Sequence, residues 1–457
     1  MASITGSPRI HGRQIDHRPA HTLAVLALGI SLILGLLLTV AAPTARAMSL
    51  PIESQRSLPE MPTRIEVAAD GTSYSTLPTE RAIAIEPWGG GDPGGRIVPL
   101  PGAAEPFDIA VTSDGATAYV SRLSTDADPQ GSVERVDLTT GAVTPIADIG
   151  SRPTELELTA DDATLVIGQE GDSQLVLVST ATDEVRARVT LQAQPYALAI
   201  DGQMAYVGGY QVIQSVDLAT AEITATSEAI GGTAASLAVV QGRVVTAVTS
   251  APPNRARLVA HDPRSLAVVD SVGMQTVDPT ALAQFSITAS ATRVYARWGR
   301  KWAFEEATYS TAVVPMSTTG FGTPEPLTSA PPIVRALATD RTGRFLVLGG
   351  FQTGNDLGLY GYATGDEIVP TVEATARIAK KKLRVTGVTT GFDAGATVTV
   401  HVRKGKKYVA QKKTTTVESD GTFTWQQSFR GKSARLYVVV GGSNDSVRTE
   451  VITVSRR

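Results

Sequence analysis

One phrase recurs along the middle of this chain, and its recurrence constrains the fold more than any other feature. From Pro106 it reads PFDIAVTSDGATAYV: a proline, a short apolar run, an Asp-Gly pair, then a second run ending in Tyr-Val. Apolar residues at every second position mark a strand, and Asp-Gly between two such runs marks a hairpin. Copies open at Pro62, Pro106, Pro153, Pro195, Thr233, Pro279 and Pro332, at intervals of 44, 47, 42, 38, 46 and 53 residues. A second hairpin is visible inside the intervals, starting at Ser132, Gln174 and Gln214. Four strands in a unit of about 45 residues cannot bury both faces alone, and stacking such units around an axis gives a β-propeller. Seven copies predict an all-β, seven-bladed propeller over residues 62–370. The fifth and sixth copies depart from the pattern, so six or eight blades stay open.

The segment before the repeats reads as a targeting signal. Arg9, Arg13 and Arg18 precede residues 23–40, which carry no charge, and Ala45-Arg46-Ala47 then supplies small residues two apart. That order predicts a secretory signal peptide over residues 1–47, cleaved after Ala47. Eighteen apolar residues also nearly span a bilayer, so an uncleaved anchor is the alternative; Gly29, Ser31 and Gly35 favour cleavage. The expectation is a secreted or envelope-associated protein, with residues 48–61 as an N-terminal linker and no membrane span after cleavage.

The absence of cysteine excludes disulfides, thiolate metal sites and cysteine nucleophiles. His11, His17 and His21 fall in the leader, leaving only His261 and His401, which argues against a histidine-rich metal site or a Ser-His-Asp triad. No cofactor is expected.

Lysine marks a boundary near Pro370. Residues 48–370 contain one lysine, Lys301, whereas residues 371–457 contain nine. The first stretch has 20 Lys and Arg against 37 Asp and Glu, a net −17; the second has 17 against 6, a net +11. The basic tail alternates at 383–388, 397–402, 408–417, 422–429, 436–440 and 447–454, with turns at Asp420-Gly421 and Gly441-Gly442. Several short strands in 87 residues predict an immunoglobulin-like β-sandwich over 371–457.

The phrase Pro-x-x-Ile-Ala-Val, Asp-Gly, Tyr-Val and Val-Asp-x-x-Thr-Gly resembles the YVTN-type β-propeller repeat of bacterial and archaeal surface proteins, over 62–370. Tyr-Val is intact only at Tyr119-Val120 and Tyr206-Val207. Proteins with that repeat include surface-layer and adhesion proteins, lactonase-like enzymes and quinoprotein dehydrogenase heavy chains, so the resemblance implies a fold and leaves function open. The tail stretches GFDAGATVTVHV and SDGTFTW resemble the Ig-like modules appended to secreted bacterial proteins.

Three groups of candidate site residues stand out. RWGRKWAFEEATY, residues 297–309, holds two of the four tryptophans; Arg297, Trp298, Arg300, Lys301, Trp302 and Glu305 are the ligand-binding candidates. The competing reading has both tryptophans packing under a long loop. Asp126 and Asp128, in DADPQG, have alternating oxygen donors like a calcium loop, but Pro129 and Gln130 break the pattern and favour an acidic turn. Lys404, Lys406 and Lys407 are the anion-binding candidates; lysine also blunts strand edges. Together these features predict a secreted or cell-surface binding protein. Its propeller loop face would take a protein or glycan, and its basic tail would act as spacer or bind an anionic envelope polymer. The alternative is a lactonase-like hydrolase using Glu170, Asp172, Arg297 or Glu305 with a metal. No nucleic-acid partner is expected of an exported chain.

Overall fold

The computed structural model describes residues 48–88, 95–124, 129–250, 256–274, 284–299, 309–352, 356–366, 371–390, 392, 396–405, 407–418, 422–441, 447–449 and 451–455. Among these residues, each repeat copy forms one antiparallel sheet, and in the first six the strands pair in chain order. Blade 1 comprises Ile65–Val67, Ser73–Leu77, Ala82–Glu86 and Arg96–Pro99. Blades 2 to 6 begin at Pro106–Val111, Pro153–Leu158, Ala197–Asp201, Thr233–Val240 and Gln284–Ala289, and blade 7 at Ile333–Thr339. These first strands touch one another in sequence, and that of blade 7 touches that of blade 1. The sheets form a closed ring: a β-propeller.

Pleating explains the composition of each blade. Gln174–Ser179 in blade 3 is buried almost throughout. Its Val176 and Val178 join the core shared with blade 2, and its Leu175 and Leu177 join the core shared with blade 4. A middle strand therefore has no polar face and reads as a continuous apolar run. The outer strand Glu184–Thr190 alternates between exposed and half-buried instead. An apolar cluster of this kind fills every interface between neighbouring blades, the last joining Phe345 and Val347 of blade 7 to Leu77 and Ala84 of blade 1. The Asp-Gly turn behaves as its chemistry requires: Gly115 has φ +67°.

Ring closure departs from expectation. Blade 7 contributes Ile333–Thr339, Phe345–Gln352 and Asp356–Ala363, and its fourth strand is Ile52–Ser57 from the opposite end of the domain. Ser54 pairs with Gly361, Arg56 with Leu359 and Ser57 with Gly358. The segment expected as a linker is thus the outer strand of the last blade. It is anchored further by Met48, whose N–H donates to the Pro326 carbonyl at 3.0 Å and whose carbonyl accepts from Thr328 N–H at 3.0 Å. Blade 6 adds Glu325–Pro326 as a second partner of Tyr309–Ser317, which accounts for its irregular repeat.

Residues 371–455 form two further sheets. One orders Thr371–Ala379, Lys382–Thr390 and Thr422–Ser428. The other orders Lys407–Ala410, Thr397–Lys404 and Ser433–Val440, with Val447–Arg448 and Ile452–Ser455 both pairing Ser433–Val440. Val398, Val400, Leu436 and Val438 of the second sheet and Phe423 and Trp425 of the first share one core, so the pair is a sandwich. The Trp425 indole N–H donates to the Lys413 carbonyl at 2.6 Å.

Candidate functional site

The first strands of the blades enclose a cavity of about 640 Å³ on the axis of the ring. Its wall is divided by chemistry. Blades 1 to 3 present Arg64, Glu66, Asp108, Glu155, Glu157 and Glu170, blades 4 and 5 present mainly small and apolar side chains such as Ala197, Ala235 and Leu237, and blades 6 and 7 add Arg297 and Arg335. The local sequence makes this division. In PTELEL, Glu155 and Glu157 are two apart and share a strand face, while Leu156 and Leu158 turn into the core. The equivalent strands of blades 4 and 5 read ALAID and TAASLAVV.

Arg64 ties three blades together. Its Nη2 donates to Glu155 Oε1 at 3.0 Å, its Nε lies 3.6 Å from Asp108 Oδ1, and its guanidinium sits 4.8 Å above the Phe107 ring centre. Asp108 is also a strut between blades. Its Oδ2 accepts from Leu156 N–H at 2.8 Å and its Oδ1 from Ile109 N–H at 2.9 Å. The first strands of blades 2 and 3 carry irregular register there, which frees those N–H groups for a side chain. Ser236 makes the same kind of bridge between blades 5 and 6, accepting from Ile287 N–H at 3.2 Å.

Crowding three carboxylates in this wall changes their acidity. Burial pushes Asp108 up to about 7, with Glu155 adding to the rise and Arg64 and the two N–H donors opposing it. Burial likewise takes Glu157 to about 7, opposed by Arg341 and helped by Glu155. Glu66 is raised well above its ordinary value by burial first and by Glu157 second. Protein surrounds these groups without sealing the wall completely: Glu155 retains 15% of its side-chain exposure and Asp108 11%. Among the described residues, no three carboxylate or imidazole groups converge to hold a metal ion.

The structure distributes the sequence candidates differently from the loop cluster expected of them. Arg297 and Trp298 belong to the strand Arg293–Gly299 rather than to a loop. Trp298 is 8% exposed and packs edge-on to Phe285, at 6.3 Å between ring centres, in the core between blades 5 and 6. Arg297 turns toward the cavity and donates to Gln284 Oε1 and Ser286 Oγ, both at 3.1 Å, and to the Val334 carbonyl at 3.2 Å. Arg300, Lys301, Trp302 and Glu305 lie outside the described residues, as do Asp126, Asp128 and Lys406. Lys404 and Lys407 face each other across an exposed hairpin.

The hydrolase candidates serve separate partners. Glu170 pairs with Arg152, and Asp172 accepts from Ser151 N–H at 2.8 Å, both on blade 3; Glu170 and Arg297 line the same axial cavity but are held by different partners. The repeat aspartates cap turns. Asp137 accepts from Thr139 and Thr140 N–H, Asp217 from Ala219 and Thr220 N–H, and Asp262 from Arg264 and Ser265 N–H. His261 is fully buried with Nδ1 3.1 Å from the Leu266 carbonyl, and burial pushes its pKa down. The charged wall of the cavity was missed; its signal was the charges in the first strands RIEV, FDIAV and TELEL, denser than in the other copies.

No protein-family model matches the chain, and no curated protein matches it. Solved structures do. A chain in the crystal structure of the mitotic checkpoint complex is similar at a TM-score of 0.54 and 13% identity, covering 78% of this chain and 99% of that one. Hydrazine synthase of Kuenenia stuttgartiensis is similar more loosely, at a TM-score of 0.44 and 15% identity, covering 62% of this chain and 76% of that one. At such identities a likeness concerns the fold alone, and the first of the two agrees with a β-propeller. Among the described residues, no helix is long and apolar enough to cross a membrane.

Proposed function

We propose that this chain is an exported binding protein whose propeller is an interaction scaffold for a protein partner. The observation that carries the reading is the divided wall of the axial cavity, ionic on blades 1 to 3 and mainly apolar on blades 4 and 5. Such a wall suits a protruding loop that offers a basic side chain to Glu66 and Glu157 and an apolar one to Ala235 and Leu237. The propeller neighbour in a checkpoint complex belongs to a protein assembly, which accords with this use of the fold. The leader-like residues 1–47 support export, and the YVTN-like repeat and Ig-like tail support a place at the cell surface. In this reading the basic sandwich is the envelope-binding module. The test is thermal unfolding with short Arg- and Leu-containing peptides. A peptide at 100 times its Kd should stabilise the propeller by about 2.7 kcal/mol, and Glu66→Gln with Glu157→Gln should remove the effect. Stabilisation that survives the double substitution would move the binding site elsewhere.

A second reading, hydrolysis, is favoured by Asp108 and Glu157 standing near 7, where a carboxyl can exchange protons at neutral pH. Turnover of lactone substrates, lost in Glu157→Gln, would support it over binding alone.

A further inference from the structure

The outer face of the larger sandwich sheet carries an organised patch. In Thr397–Lys404 and Ser433–Val440, every second residue enters the core, leaving His401, Arg403, Arg435 and Tyr437 on the opposite face. His401 is the register partner of Tyr437, and Arg403 of Tyr408. The His401 and Tyr437 rings stack at 4.6 Å with 12° between their planes, and Tyr408 leans on Tyr437 at 5.0 Å. Arg448 lies over the Tyr437 ring at 5.0 Å. Arg403 and Arg435 are exposed on adjacent strands, one residue beyond the pair Val402 and Leu436. Like charges set side by side across a sheet repel. Every ion pair among the described residues joins two propeller residues, so no described carboxylate neutralises these arginines.

We infer that this face binds an anionic glycan of the cell envelope, a chain of sugar rings bearing acidic groups. Aromatic rings and arginine forks together match that chemistry. Tyr408 and His401 offer ring surface against which the C–H face of a sugar can lie, and Tyr437, covered by His401 and Arg448, holds them in place. Arg403, Arg435 and Arg448 surround them with guanidinium groups that take a carboxylate or phosphate through two N–H bonds. The charge complement is strong, since residues 371–457 carry a net +11. Lys404 and Lys407 extend the positive field at the hairpin edge, where the sequence placed its anion-binding candidates. The inference rests on the envelope-binding role proposed for the sandwich and assigns that role to one face.

The full chain is tested by biolayer interferometry on three polymers: polygalacturonate, which has acid on sugar rings; poly-L-glutamate, which has acid without rings; and dextran, which has neutral rings. Polygalacturonate should bind at least tenfold more tightly than either of the others. Tyr437→Phe should keep that affinity, Tyr437→Leu should lower it at least fivefold, and Arg403→Gln with Arg435→Gln should lower it at least tenfold. Melting temperatures of the variants check that the sandwich is folded; the glutamine pair lies on an exposed face, so the test does not depend on the tyrosine variants. Equal binding of polygalacturonate and polyglutamate, no effect of the arginine pair, or no binding would overturn the inference. So would self-association at low salt abolished by the arginine pair, because the occupant would then be the acidic propeller of a second copy. Co-sedimentation with whole envelopes separates the two levels. Variants that still sediment while losing polygalacturonate would keep the envelope role and reject this face; a wild-type chain that never sediments would reject the role itself.

Discussion

Replacing Glu157 by glutamine should stabilise the protein above neutral pH, and the sign is the informative part. A carboxyl moved from 4.5 to about 7 differs by roughly 3 kcal/mol between its two protonation states. Residual exposure of the wall and the mutual repulsion of Glu157 and Glu66 reduce what is measurable to roughly 1–2 kcal/mol. A carboxyl raised on folding contributes stability that is complete below its unfolded pKa and is lost as pH rises through the folded one. Wild-type stability should therefore decline between pH 5 and pH 8, and Glu157→Gln should flatten that decline. His261 acts oppositely, because its folded pKa is lowered and its contribution is lost as pH falls below about 6.5. It is present in both proteins, so it cancels in the difference between them. Urea unfolding at pH 5, 6, 7 and 8 measures that difference. Near-equality at pH 5 and a more stable variant at pH 8 are expected. A variant less stable at pH 8, with an unchanged slope, would mean that Glu157 is ionised and well paired with Arg341, and the account of the charged wall would be refuted.

Arg122→Met should lower stability by about 3–5 kcal/mol in urea unfolding, because the 1%-exposed guanidinium bonds Glu134 at 2.8 Å and the Pro101 and Ala104 carbonyls. Trp298→Ala should cost about 3–5 kcal/mol, since the ring fills an inter-blade core; a shift below 1 kcal/mol would return it to the surface role considered from the sequence. Lys380 and Lys381 form a two-residue hairpin turn with φ of 46° and 60°, so Asn-Gly there should raise sandwich stability by about 0.5–1 kcal/mol in calorimetry. N-terminal sequencing of the exported protein should begin at Met48, and a retained apolar segment 23–40 would refute cleavage.

The repeat was legible because most blades write similar local chemistry: alternation in the first strand, a tight turn, an apolar middle strand and, in blades 2, 4 and 5, an aspartate-capped hairpin. Those features act within a few residues of one another. What was not legible depends on partners far along the chain. IESQRS has one apolar residue and an exposed pattern, so nothing in it announces that its partner is Asp356–Ala363. Trp298 was read with the charged loop following it, although Val-Tyr-Ala-Arg-Trp continues the strand and its ladder with Phe285. The alternating glutamates of TELEL were visible, but that Glu155 meets Arg64 from two blades earlier follows only from the ring.

Ring closure by Ile52–Ser57 also fixes an order of events. The closing strand emerges first during synthesis, yet its partner Asp356–Ala363 is made about 300 residues later. At about 5–20 residues per second, the early strand waits tens of seconds with its hydrogen-bonding edge unmatched. Such a delay exposes most edge strands to pairing with the wrong chain. Here the waiting strand is short and carries Glu53, Gln55 and Arg56, so it holds little apolar surface with which to adhere. The polar character that hid this segment from sequence reading is what allows it to be first in and last placed.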